Sequence, residues 1–180
     1  MIDFVVLFAL LRYCVIAFLC YCLTGIHSPN ATASALDNLR TRSVFILGFA
    51  FKADTNDTRE APAIRICGDL LEEGAQLAIH DPKVEPAKMA RDLKQEAAAA
   101  ADALSGTGSW ALAESVEEAV SGADAVLILT EWNDYRQLNW AELAGRMRKP
   151  AWLFDARAVA DPVAVRAAGL TLWRVGDGEG

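Results

Sequence analysis

Nine consecutive residues, Lys52-Ala53-Asp54-Thr55-Asn56-Asp57-Thr58-Arg59-Glu60, concentrate more chemistry than any other part of this chain. Lys52 and Arg59 supply cations and Thr55 and Thr58 supply hydroxyls. With the free amides of a following helix they form a plausible cradle for a pyrophosphate. The plainer alternative, a solvated loop whose acids and bases pair with each other, stays open. Thr130-Glu131-Trp132 and Asp155-Ala156-Arg157 are two further polar groups that follow apolar runs. The glycine fingerprint G-x-G-x-x-G is absent from the first segment, so the residues do not support an autonomous dinucleotide site. No C-x-x-C pair or His cluster suggests a metal, since His27 and His80 are far apart.

These groups need elements to hold them. Residues 43–49, SVFILGF, form a short apolar run closed by Gly48, the pattern of a strand covered on both faces. Pro62 suits the first turn of a helix, and Ile64, Ile66, Cys67, Leu70 and Leu71 follow at helical spacing before Gly74. A second strand is predicted over 76–80, closed by Asp81-Pro82, completing a βαβ unit. Residues 85–103, rich in Ala, Lys and Glu, are predicted helical, with a loop over 105–108. A capped helix start at Ser115, ending at Gly122, leads to a third strand over 125–129. A helix over 140–147, a fourth strand over 151–154, a short helix over 162–168 and a closing strand over 170–175 follow. Such alternation implies an α/β fold, a mainly parallel sheet with helices on both faces. In such sheets ligands gather at the carboxyl ends of the strands, where all three polar groups fall.

Composition sets the outer bounds. The chain has 180 residues, 53% apolar and 23% charged, which excludes a disordered tail or a disulfide-stapled miniprotein. A net charge of −7 excludes long-range attraction to nucleic acid. Residues 1–42 carry a balance of +1 and the remainder −8. Residues 4–23 are apolar except for Arg12, long enough for a membrane span or signal anchor. Against that stand the lack of a basic residue before the run and the charge near its middle. The alternatives are an extension foreign to the fold or a segment buried against a missing partner. Residues 28–34 read as linker, and Asn30-Ala31-Thr32 fits a glycosylation sequon relevant only to a secreted chain. Cys14, Cys20 and Cys22 sit in this first part, leaving Cys67 as the only thiol of the body. The body therefore reads as a reduced, cytoplasmic type of domain, with membrane anchoring through 4–23 as the alternative.

Residues 47–60, Leu47-Gly48-Phe49-Ala50-Phe51-Lys52-Ala53-Asp54-Thr55-Asn56-Asp57-Thr58-Arg59-Glu60, closely resemble the motif that opens the C-terminal UDP-binding domain of UDP-glucose 6-dehydrogenases. The resemblance continues through Ala61-Pro62-Ala63-Ile64, His80-Asp81-Pro82-Lys83-Val84, Ile128-Leu129-Thr130-Glu131-Trp132, Lys149-Pro150-Ala151 and Phe154-Asp155-Ala156-Arg157. It covers nearly all of residues 43–176 in matching order. The related GDP-mannose and UDP-N-acetylhexosamine dehydrogenases usually differ in the first loop, so the resemblance favours UDP-glucose.

The resemblance implies a Rossmann-like three-layer domain over residues 43–180, preceded by a hydrophobic N-terminal helix and linker in 1–42. It implies an enzyme family that joins an NAD domain to this one through a long helix. That family oxidises the sugar C6 alcohol to a carboxylate in two NAD-dependent steps, giving UDP-glucuronate through a cysteine-linked intermediate. Carried over by motif, Phe51, Lys52 and Arg157 contact the nucleotide sugar, and Arg59 reaches across the cleft to NAD. The family's catalytic cysteine, lysine and aspartate have no counterpart here, so no residue of this chain is expected to be catalytic. Cys67 falls at an apolar helix position, where a thiol is inert. Expected partners are UDP-glucose and a complementary NAD domain or a second copy of the chain. The whole is expected to be a truncated gene product that does not turn over alone; the alternative is a non-catalytic module, tethered to a membrane through residues 4–23, that binds a nucleotide sugar or assembles with a partner dehydrogenase.

Overall fold

The computed structural model describes residues 42–98 and 108–176. The predicted apolar helix over 4–23, the linker and the sequon lie outside the described residues, as do 99–103 of the predicted long helix. Among the described residues no helix is long and apolar enough to cross a membrane.

Six parallel strands form one sheet: β1 (Ser43–Leu47), β2 (Gln76–His80), β3 (Ser109–Leu112), β4 (Ala125–Ile128), β5 (Trp152–Asp155) and β6 (Thr171–Arg174). Their order across the sheet is β3-β2-β1-β4-β5-β6. The chain therefore winds outward from β1 in one direction and then returns to wind outward in the other. The reversal leaves a crevice at the carboxyl ends of β1 and β4, where such folds take their ligands. The helices are α1 (Pro62–Glu72), α2 (Pro86–Leu93), α3 (Val116–Ala119), α4 (Trp140–Arg146) and α5 (Pro162–Ala167). α1 packs on α2, and α4 packs on α5. Right-handed crossovers on either side of the reversal put those two pairs on opposite faces, giving three layers.

The apolar periods explain the elements. β1 lies between two strands and is buried at Val44, Phe45, Ile46 and Leu47, as a continuous apolar run requires. α1 buries Ala63, Ile66, Cys67, Leu70 and Leu71, one stripe at helical spacing. It ends where Gly74 takes φ +85°, its amide donating to the Leu71 carbonyl and that of Ala75 to the Leu70 carbonyl. That pair of bonds closes the helix and turns the chain into β2.

Two expectations are corrected. The helix predicted over 85–103 stops at Leu93, because Lys94 adopts a left-handed conformation (φ 56°). Beyond it the chain docks on a strand that the sequence did not announce. The indole N–H of Trp110 donates to the Gln95 carbonyl at 3.0 Å, and the Ala98 amide to the Trp110 carbonyl at 2.8 Å. That strand is β3, so the third and fourth predicted strands are β4 and β5.

Candidate functional site

The segment leaving β1 is tied down before it reaches its cations. Gly48 sits at φ +91°, and a Cβ there would lie 2.4 Å from the Thr130 Cβ, so only glycine lets the β1 and β4 ends approach this closely. Both next amides, of Phe49 and Ala50, donate to Asp81 Oδ2 at 2.8 and 3.0 Å. The other oxygen of Asp81 accepts the amides of Lys83 and Val84 at 2.9 and 3.0 Å, and the Trp132 indole donates to Oδ2 at 3.2 Å. One buried carboxylate thus joins the ends of β1, β2 and β4. Asp81 is the principal structural residue that the reading by motif treated only as a turn; its signal is the Asp-Pro pair at a strand end. Thr130 adds a bond from its hydroxyl to the Ala50 carbonyl at 2.6 Å.

The predicted cradle is differently employed. The Thr58 hydroxyl is buried and donates to Asp92 Oδ2 on α2 at 2.6 Å, while Thr55 Oγ1 accepts the Asp57 amide at 3.0 Å. Lys88, also on α2, donates to the Asn56 carbonyl at 2.7 Å, and the Phe51 amide closes the loop on the Asp57 carbonyl at 2.8 Å. Both hydroxyls brace the loop; the Thr58 hydroxyl proton is committed to Asp92, whereas Thr55 uses only an acceptor site of its oxygen. What the braced loop presents outward is Phe51, 40% exposed, with Lys52 beside it.

Arg157 comes to the same place from β5. Asp155 turns the chain there, accepting the Arg157 amide at 3.0 Å and the Ala160 amide at 2.8 Å. The Arg157 guanidinium then reaches back across the sheet. Its Nε donates to the Leu129 carbonyl at 2.8 Å and its Nη2 to the Phe51 carbonyl at 3.1 Å, while Glu131 Oε2 lies 3.4 Å from Nε. The structure therefore brings Arg157 onto the Phe51 backbone, one residue from Lys52, at the crevice between β1 and β4.

Arg59 is separate in character. It grips Asp57 through Nε and Nη2, with Nη2 at 2.6 Å from Oδ2, and its side chain is 87% exposed. Arg59 holds the Asp57 carboxyl well below the usual carboxylate range, and Asp57 in turn raises the Arg59 guanidinium. Burial pushes the Cys67 thiol far up, which suits a packed thiol and not a nucleophile. Among the described residues no group of three His, Cys, Asp or Glu side chains could hold a metal.

A dinucleotide pyrophosphate does not fit the start of α1. Pro62 at its first turn has no N–H, the Ile64 amide returns to the Ala61 carbonyl at 3.2 Å, and the approach from β1 carries no glycine after Gly48.

Comparison with known proteins agrees with this architecture. The model of the UDP-glucose/GDP-mannose dehydrogenase family, UDP binding domain, matches residues 45–162. A UDP-glucose 6-dehydrogenase of Oryza sativa subsp. japonica is 38% identical over 158 residues, covering 82% of this chain and 32% of that protein. The UDP-glucose 6-dehydrogenase of Caenorhabditis elegans is 34% identical over 144 residues, covering 80% of this chain and 29% of that protein. A UDP-D-ManNAc dehydrogenase structure from Pyrococcus horikoshii superposes with a TM-score of 0.60 at 22% identity, over 93% of this chain and 32% of that one. A UDP-glucose dehydrogenase from Pyrobaculum islandicum does so at 0.50 and 24% identity, over 81% and 28%. Those two likenesses show the fold. The chain spans about a third of the length of the curated relatives it matches. The match over residues 45–162, on a parallel sheet whose reversal gathers Phe51, Lys52 and Arg157, places this chain in the UDP-glucose/GDP-mannose dehydrogenase family as a UDP binding domain.

Proposed function

We propose that this chain is the UDP-sugar-binding part of an NAD-dependent UDP-glucose 6-dehydrogenase, with UDP-glucose as its ligand. The observation that carries the reading is the meeting of Arg157 with the Phe51 carbonyl, 106 residues apart in sequence, at the reversal of the sheet. A diphosphate there receives charge-assisted donors from Lys52 and Arg157, which are stronger than neutral ones and suited to its charge. The exposed ring of Phe51 gives an apolar wall beside them.

Arg59, on the outer edge of the same loop, is the residue of this chain proposed to reach NAD. The poor fit of α1 for a pyrophosphate supports assigning the rest of the cofactor to a separate NAD-binding domain. No catalytic role is assigned to any residue here, so oxidation to UDP-glucuronate is proposed to require that complementary polypeptide. Residues 43–180 are proposed to act as the binding domain in the cytoplasm, and 1–42 as a separate segment. A membrane tether through 4–23 is tested by carbonate extraction, and a fully soluble product ends it.

Calorimetry with UDP-glucose, UDP and NAD tests the main reading. UDP and UDP-glucose are expected to bind, and Lys52→Ala is expected to weaken both by about tenfold or more while leaving stability within about 0.5 kcal/mol. Absence of UDP binding by the folded chain overturns the proposal. NADH formation from UDP-glucose by the chain alone overturns the assignment of catalysis to a complementary part.

A further inference from the structure

Glu131 has no place in the site as assigned so far, yet one of its oxygens is in an unusual situation. Oε2 is buried and accepts no hydrogen bond, and it lies 3.4 Å from the Nε of Arg157. A buried carboxylate oxygen without a donor is costly unless a nearby charge compensates it. Among the described residues the compensating charge is the Arg157 guanidinium, whose Nε–H is already directed to the Leu129 carbonyl and whose Nη2 is directed to that of Phe51. Two carbonyls and a carboxylate therefore hold one edge of the guanidinium. Its Nη1 makes no bond among the described residues.

We infer that Glu131 is a positioning residue for Arg157: its carboxylate holds the guanidinium edge against the β1 and β4 ends so that Nη1 faces the ligand. The inference rests on the proposed role of Arg157 in binding the UDP-sugar. It runs against the simplest electrostatic expectation, because a carboxylate beside an anion site repels a diphosphate, and its removal then tightens binding. A guanidinium released from its clamp instead loses preorganisation, and binding weakens.

The experiment is a double-mutant cycle on the full chain with Glu131→Ala and Arg157→Ala, reading UDP affinity by calorimetry. Glu131→Gln is the shape-conserving control, and the 15Nε resonance of Arg157 is recorded in wild type and in both Glu131 variants. Expected are a loss of about tenfold in UDP affinity for Glu131→Ala, no further loss in the Arg157→Ala background, and a shifted, faster-exchanging Nε–H in both Glu131 variants. Tighter or unchanged UDP binding in Glu131→Ala overturns the inference. So does an equal loss in both backgrounds, or an unmoved Nε–H resonance. If wild type binds no UDP, the proposed function falls, and the resonance still decides whether Glu131 holds Arg157.

Discussion

The two ends of the sheet each bury a carboxylate that ties strands together, and they answer it in opposite ways. At the amino end Asp124 accepts the Ser43 amide at 2.9 Å and two guanidiniums, Arg42 Nη1 at 3.1 Å and Arg148 Nη2 at 2.5 Å. At the carboxyl end Asp81 is satisfied by four backbone amides and one indole N–H. Main-chain donors make the carboxyl end rigid without engaging a cation. Lys52 and Lys83 are left exposed there, with the Lys83 ammonium 5.8 Å from the centre of the Trp132 ring. The amino end neutralises its carboxylate with two arginines. On the proposed function, the cations that Asp81 leaves unengaged are the ones available to an anion.

The comparison can be broken by substitution. Asp81→Ala leaves the Phe49 and Ala50 amides buried without partners and cuts three strand ends apart, so a loss on the order of 3–5 kcal/mol is expected in urea denaturation. Asp124→Ala removes three bonds, only one of them from a strand amide, and Arg148 is 51% exposed on its side chain and can return to water. A smaller loss, about 1–3 kcal/mol, is expected by the same measurement. If the amino-end variant proves the more damaging, the contrast between amide-satisfied and cation-satisfied carboxylates is wrong.

The smallest effect concerns His80, at the end of β2. Its Nδ1 lies 3.1 Å from the Tyr135 hydroxyl, which donates to the His80 carbonyl at 3.1 Å. Burial lowers its proton affinity from the ordinary value of 6.5, opposed by Asp81, Asp134 and Glu117. The unfolded chain therefore binds the proton more readily, and stability falls as pH drops below about 6.5 toward the lowered folded value. A wild-type denaturation midpoint that declines over that window, and a His80→Gln midpoint that declines less, is the expected result. Identical pH profiles would remove His80 from the account.

Much of this was legible from the chain alone. α1 was placed by Pro62, by its apolar stripe and by Gly74, all local features. β1 and β4 announced themselves as continuous apolar runs, since central strands are covered on both faces. β3 was not legible: Ser109–Leu112 is a four-residue edge strand in which only Trp110 is buried. The predicted helix over 85–103 is too long for a related reason. Helix propensity in the alanine-rich stretch is local, whereas the docking of Gln95 and Ala98 against Trp110 is tertiary and prevails.

The site divided in the same way. Phe51, Lys52, Arg59 and Arg157 are named from motif, and the fold brings the Arg157 guanidinium onto the Phe51 carbonyl. The role of Thr58 is not legible from composition, which cannot show that its hydroxyl faces Asp92, 34 residues away. Nor could it show that Asp81 binds Phe49, Ala50 and Trp132 together.

The sequence by itself determined the alternation of strands and helices and the cation-bearing connection after β1, since both rest on apolar period and on residues adjacent in the chain. Only the tertiary structure decided which polar groups brace the loop and which face outward. Those partners come from β2, α2, β4 and β5, and the directional bonds among them form only when the sheet order has set their distances.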